Sequence, residues 1–284
     1  MSQYIAAHAD PHGPGDARPT ALQITEDEDM KDKLAGKVAV ITGVSSGIGI
    51  ETVRALGSLE GVRKAAKNIL SKTDKVNILI NNAGIMAVPN LQYTSDGFEL
   101  HPALLAATSP EFQSRVVNVA SAGHQLCGIN SSDNYHFQKG GYEAWAAYSQ
   151  SKTANIYMAN EIERRFESRR IHALSLNPGF IATGLGQFLS AEQIGQLLQN
   201  KETMKIMKSL EQGAATTVWA AIGKEWEGRG GKYLSDCAEA KRATDDNDPS
   251  NEVYVSHTYN SRMRLDCGRI RWRWLAFQMS EVAP

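Results

Sequence analysis

The chain has 284 residues, enough for one large α/β domain, and its 42% hydrophobic and 21% charged residues are ordinary globular usage. A formal net charge of -1 removes any global electrostatic case for a nucleic-acid partner, and no apolar run approaches the ~18 residues that span a bilayer. Cys127, Cys237 and Cys267 stand far apart without metal-ligand spacing, which argues against a metal site and for a reducing compartment, read here as the cytoplasm.

Residues 1–33 lack the basic region and apolar core of a signal peptide, and their Pro, Gly, Asp and His content reads as a flexible arm. The acidic run Thr25 to Lys33 reads as its solvated end. A domain follows over 34–236, and 237–284 reads as an atypical tail.

Within the domain, Lys37 to Thr42 is a β-branched apolar run that stops at a glycine turn, "TGVSSGIG". The next residues put Ile50, Val53 and Leu56 on one helical face, and "SLEGVRKAAKNIL" continues that face with Leu59, Val62, Ala66 and Ile69. Further buried strands are expected at Val76 to Asn81, Arg115 to Ser121, Ile171 to Gly179 and Gly231 to Leu234. Helices are expected at Ala144 to Phe166, Ala191 to Leu210 with a break, and Glu211 to Ile222. Continuous apolar strands alternating with helices imply a doubly wound, Rossmann-type α/β fold with a parallel sheet, whose ligands bind beyond the carboxyl ends of the strands.

Three features carry chemistry. Gly43, Gly47 and Gly49, between a strand and a helix, let backbone amides approach a pyrophosphate at a helix N-terminus. "YSQSK" sets Tyr148 and Lys152 four apart on one helical face, where a cation beside a phenol favours its ionised form. Ser121 ends a buried strand, where a hydroxyl can hold a substrate carbonyl beside the tyrosine.

Taken with "NNAG" and "NPG", these residues resemble the short-chain dehydrogenase/reductase family from about Lys37 to Leu234. The segments "NNAGIMAVP", "WAAYSQSKTANIYMANEIERR" and "GGKYL" resemble its fungal members akin to retinol dehydrogenases and the WW-domain oxidoreductase. The resemblance implies hydride transfer between NADP or NAD, with NADP slightly favoured, and an alcohol or carbonyl of a small molecule, such as a step of a fungal metabolic pathway. It makes Tyr148 the acid-base group, Lys152 its activator and a holder of the nicotinamide ribose, and Ser121 the group that orients substrate. Ser45, Ser46 and Ile48 of the turn, together with Asn82, Ala83, Gly84, Pro178, Gly179 and Thr183, would line the cofactor.

The pattern also departs from the family. Only 38 residues separate Gly43 from Asn81, so the family's second and third strands are expected to be missing. About twenty positions past the turn, where a ribose-binding acid is expected, stand Lys64, Ala65, Ala66, Lys67 and Asn68. The interval from Gly84 to Ser121 is also short, which argues against the family's usual homodimer face. Arg269, Arg271 and Arg273 alternate with Ile270, Trp272 and Trp274 in the tail. A truncated or mis-spliced product would show all of these features. The alternative reading is therefore a non-catalytic remnant or pseudoenzyme with weak or no cofactor binding.

Overall fold

Strands β1 (Ala39–Ile41), β2 (Ile78–Asn81), β3 (Ser114–Val119), β4 (Ile171–Asn177), β5 (Lys232–Ser235) and β6 (Ala238–Glu239) form one sheet in the order of their numbers. The computed structural model describes residues 2–31, 33–34, 37–44, 47–56, 77–84, 86, 114–131, 133–247 and 253–260. The first five strands are parallel and β6 returns antiparallel on β5. A separate two-stranded ladder joins β7 (Lys241–Arg242) to β8 (Val253–Tyr254).

Every residue of β2, β3 and β4 is buried, which explains why these strands read as unbroken rather than alternating runs. Their side chains still sort with the period of two. Ile78, Ile80, Val117, Leu174 and Leu176 face one layer, whereas Leu79, Val116, Ile171 and Ala173 face the other. The second layer is covered by α4 (Ala144–Phe166) through Met158, Ala159 and Ile162. The first is covered by α7 (Leu210–Ile222), whose Val218 and Trp219 sit in that core. α7 starts at Ser209 in a capping box with Gln212, and α4 starts where the Glu143 carboxylate accepts from Trp145 and Ala146 N–H. α5 (Ala191–Gln199) and α6 (Lys201–Ile206) fall on either side of the expected break, at Asn200.

β1 pairs directly with β2, Ala39 opposite Ile78, and is the outer strand of the sheet among the described residues. The glycine turn and α3 (Ile48–Leu56) follow it. The expected helical continuation from Leu59 to Ile69 and the basic-aromatic tail lie outside the described residues.

The N-terminal segment differs from the loose arm that its composition suggests. α1 (Ile5–His8) and α2 (Ala21–Asp27) are ordered, Tyr4 packs edge-on against Trp219 at 6.3 Å, and Ile24 is fully buried in the same core. Burying a side chain such as Ile24 contributes about 1.5–3 kcal/mol, so a few apolar residues fix a segment that is polar on average. Thr25 and Glu28, in the acidic run, are buried too, and Glu28 accepts the Lys224 N–H at 3.0 Å. The described residues just past position 236 pack on the domain. Cys237 is fully buried in the main core, and Tyr233 donates its N–H to the Tyr259 hydroxyl at 3.0 Å. Among the described residues no helix is long and apolar enough to cross a membrane.

Candidate active site

Four of the carboxyl-terminal strand ends converge. β1 leads into the glycine turn, β2 into Asn82, Ala83 and Gly84, β3 into Ser121, and β4 into Pro178 and Gly179. Glycine is required where the first two meet. Gly43 has φ +68°, and a Cβ there would lie 2.6 Å from the Ala83 Cα. A Cβ on Gly49 would lie 2.3 Å from the Gly43 carbonyl oxygen. Asn82 closes the junction, donating from its side chain to the carbonyls of Thr42 and Gly43 at 3.1 and 3.0 Å. Ile48 opens α3 and packs on the main core. Thr183 lies across the turn, its Cγ2 3.3 Å from where a Gly47 Cβ would be. Ser45 and Ser46 lie outside the described residues.

Ser121, Tyr148 and Lys152 come together at the end of β3. α4 presents Tyr148 and Lys152 on its buried face, and the Lys152 ammonium stands 5.4 Å from the Tyr148 ring centroid. The Ser121 hydroxyl accepts the Gly123 N–H at 3.0 Å and is hydrogen-bonded to the Tyr148 side chain. Gly123 leaves room for the ring, since a Cβ there would meet Tyr148 Cε1 at 2.7 Å. Lys152 donates to the Val119 carbonyl at 3.4 Å, and its nitrogen lies 3.3 Å from where a Gly84 Cβ would be.

The protonation states follow from burial. Burial pushes the Tyr148 phenol up, with the Ser121 hydrogen bond opposing it. It also pulls Lys152 down to about 8. Without a dinucleotide the resting pair is thus a neutral phenol beside an amine that gives up its proton readily. Among the described residues no three His, Cys, Asp or Glu side chains are placed to hold a metal ion.

A dinucleotide fits this arrangement on two observations. The glycine cradle admits no side chain, and an ammonium carries three donors, of which Lys152 directs one to a carbonyl. The comparisons with known proteins agree. The chain is 44% identical over 291 residues to the short-chain dehydrogenase/reductase prx1 of Penicillium rubens, covering 84% of this chain and 85% of that one. It is 37% identical over 309 residues to oxidoreductase calI of Penicillium decumbens, covering 86% and 89%. The chain belongs to the short-chain dehydrogenase/reductase family.

Human retinol dehydrogenase 14 is 33% identical over 208 residues, covering 68% of this chain and 61% of that one. No protein-family model matches. In fold, the chain resembles a crystal structure of an uncharacterized protein from Mycobacterium Paratuberculosis, at TM-score 0.57 and 23% identity over 82% of this chain and 91% of that one. The 291 positions aligned with prx1 exceed the 84% of this chain that takes part, so that relative carries segments with no counterpart here. The chain is accordingly an NAD(P)-dependent oxidoreductase of short-chain dehydrogenase/reductase type.

The structure gives roles to asparagines that had none, among them Asn81 of "NNAG" and Asn177 of "NPG". Asn81 donates to the Asn118 side chain at 2.8 Å, Asn118 donates to the Asn155 carbonyl at 3.0 Å, and Asn155 donates to the Val119 carbonyl at 3.2 Å. This buried chain of asparagines ends on the carbonyl that Lys152 also takes. Asn177 accepts both the Ala122 and Gly179 N–H groups at 3.2 Å, joining the Ser121 loop to the Pro178 loop through one oxygen. An asparagine inside an otherwise apolar strand pattern is the available signal, because a buried amide must find partners.

Proposed function

We propose that the chain reduces a carbonyl of a small molecule, and in reverse oxidises the alcohol, with Tyr148 as the proton donor or acceptor, Ser121 orienting the oxygen and Lys152 holding the nicotinamide ribose. The convergence of Ser121, Tyr148 and Lys152 beside the glycine cradle carries this reading. The dinucleotide supplies or accepts the hydride when bound. A neutral buried phenol suits proton donation to the developing alkoxide, and Lys152, about 8, is matched to replenish it near neutral pH. Gly43, Ser45, Ser46, Gly47, Ile48, Gly49, Asn82, Ala83 and Gly84 would take the phosphate and adenosine side, with Pro178, Gly179 and Thr183 at the nicotinamide end.

NADP(H) is slightly favoured over NAD(H) from the family resemblance alone; the positions about twenty past the glycine turn, Lys64 to Asn68, do not discriminate between them. We place the protein in the cytoplasm, in keeping with the free thiols of Cys127 and Cys237. A non-catalytic remnant is the second reading. It rests on β1 being the outer strand among the described residues, beside the adenosine side of the site. The test is oxidation of NADPH in the presence of a panel of aliphatic, aromatic and polycyclic ketones and aldehydes. Turnover by the wild type and none by Tyr148→Phe supports the enzyme; binding of neither dinucleotide supports the remnant.

A further inference from the structure

We propose that Arg18, in the N-terminal segment, is a positioning residue for the nicotinamide-side loop Pro178 to Thr183; the proposal rests on the dinucleotide reading of the site. Arg18 is 4% exposed and its guanidinium is used on nearly every side. Nη1 donates to the Ile206 carbonyl at 2.8 Å, and Nη2 donates to the carbonyls of Met207 at 2.6 Å, Gly13 at 3.1 Å and Lys205 at 3.5 Å. Nε donates to Asp16 at 2.8 Å. Burial works against the Asp16 carboxylate, but the hydrogen bonds from Arg18 and His12 hold it well below the usual carboxylate range, so the guanidinium keeps its counter-charge.

Three of the four carbonyls that Arg18 gathers, those of Lys205, Ile206 and Met207, are at the end of α6, where helix carbonyls lack intrahelical donors and carry partial negative charge. A planar fork with five donors matches several fixed carbonyls at once; a lysine cannot reproduce that geometry. Gln212, the third residue of α7, fastens the same strap, donating to Asp16 and Arg18 carbonyls at 3.1 Å and accepting the Gly15 N–H at 2.9 Å.

The next residue after Met207 connects this grip to the site. Lys208 donates its backbone N–H to the Phe180 carbonyl at 2.8 Å and forms a parallel bridge with Ile181. Its ammonium takes Asp236 at 2.5 Å and the Pro178 carbonyl at 3.3 Å. Its stem lies against Gly179, whose φ is +96° and where a Cβ would meet Lys208 Cε at 2.9 Å. The path therefore runs from Arg18 through Met207 and Lys208 to Pro178 and Gly179, and on to Thr183 over the glycine turn. The loop's shape is set by a segment more than 150 residues away in the chain.

The test compares full-length wild type, Arg18→Ala and Arg18→Lys in two measurements. Hydrogen–deuterium exchange on the unliganded protein reads the strap alone. It should show faster exchange at amides 178–208 in both variants, with β2, β3 and β4 unchanged. NADPH fluorescence titration reads the loop's effect on the site. Affinity should fall about tenfold or more in Arg18→Ala and less in Arg18→Lys, while displacement by 2′,5′-ADP, which lacks the nicotinamide, stays within about twofold. Methylguanidine added to Arg18→Ala should restore part of the NADPH affinity.

Unchanged exchange at 178–208 in the variants overturns the strap, as does an equal loss for NADPH and 2′,5′-ADP, which marks a general fold defect. A wild type that binds no dinucleotide overturns the functional reading instead, and exchange still decides the strap. If Arg18→Ala fails to fold, Arg18→Lys, which keeps the charge and loses the fork, carries both measurements.

Discussion

The Lys152 ammonium stands 5.4 Å from the centroid of the Tyr148 ring, and both side chains are almost wholly buried. Burial sets the resting state, pushing the phenol up and the lysine down to about 8. The pair sits one turn apart on a helix, held from below by the Val119 carbonyl and from the side by the Ser121 hydroxyl.

Replacing Tyr148 by phenylalanine removes the proton donor and keeps the ring. Turnover should fall by about 10²–10⁴-fold, with NADPH affinity held within about twofold. Steady-state rates and a fluorescence titration on the same preparation check this. Comparable turnover in the variant would remove Tyr148 from the mechanism.

Lys152 makes stability depend on pH in a definite direction. Its folded-state value, about 8, lies below the ordinary 10.5, so between these values the unfolded chain binds more protons. Stability should rise as pH climbs through that window and be lowest below it. Lys152→Met, which carries no buried charge, should raise Tm by roughly 5 °C at pH 7. The gain should shrink toward pH 10, while activity is lost. Thermal melts at pH 7, 8.5 and 10 read both effects; a Tm difference that does not change with pH contradicts them.

Gly43→Ala places a side chain at φ +68°, 2.6 Å from the Ala83 Cα. The strain of about 1–3 kcal/mol must be relieved by moving the turn away from β2's end. NADPH affinity should therefore drop more than tenfold, with a smaller fall in Tm. Wild-type affinity in this variant would mean that the turn does not hold the phosphates.

Asn118→Ala leaves the Asn81 side-chain amide without its acceptor in the core and takes the second donor from the Asn155 carbonyl, which keeps its helical one. A loss of about 2–3 kcal/mol is expected in urea unfolding, because buried polar groups left without partners keep their full desolvation cost. Asn118→Asp should be worse at neutral pH and recover in acid, as protonation restores a neutral side chain. A variant as stable as wild type would show that water takes over the chain of amides.

Much of the fold was legible because β2, β3 and β4 are buried on both faces, and such strands advertise themselves as apolar runs. α4 matches its expected bounds, Ala144–Phe166, and the order of strands along the chain was readable from the runs alone. The direct pairing of β1 with β2 followed from the family resemblance, in which these two strands are sheet neighbours. Composition misled at the N-terminus, where Tyr4, Ala21 and Ile24 are too few to colour an otherwise polar stretch yet fill the space beside Trp219. The Arg18 and Lys208 links were invisible, since their partners are backbone carbonyls brought close only by the fold.

The measurement that bears most directly on the account is a fluorescence titration of the full chain with NADPH and then NADH. Saturable, micromolar binding of NADPH, tighter than that of NADH, is expected; it should survive Tyr148→Phe and be lost in Gly43→Ala. A folded protein that binds neither dinucleotide would contradict it and leave the paired Tyr148 and Lys152 as a remnant of the family's chemistry.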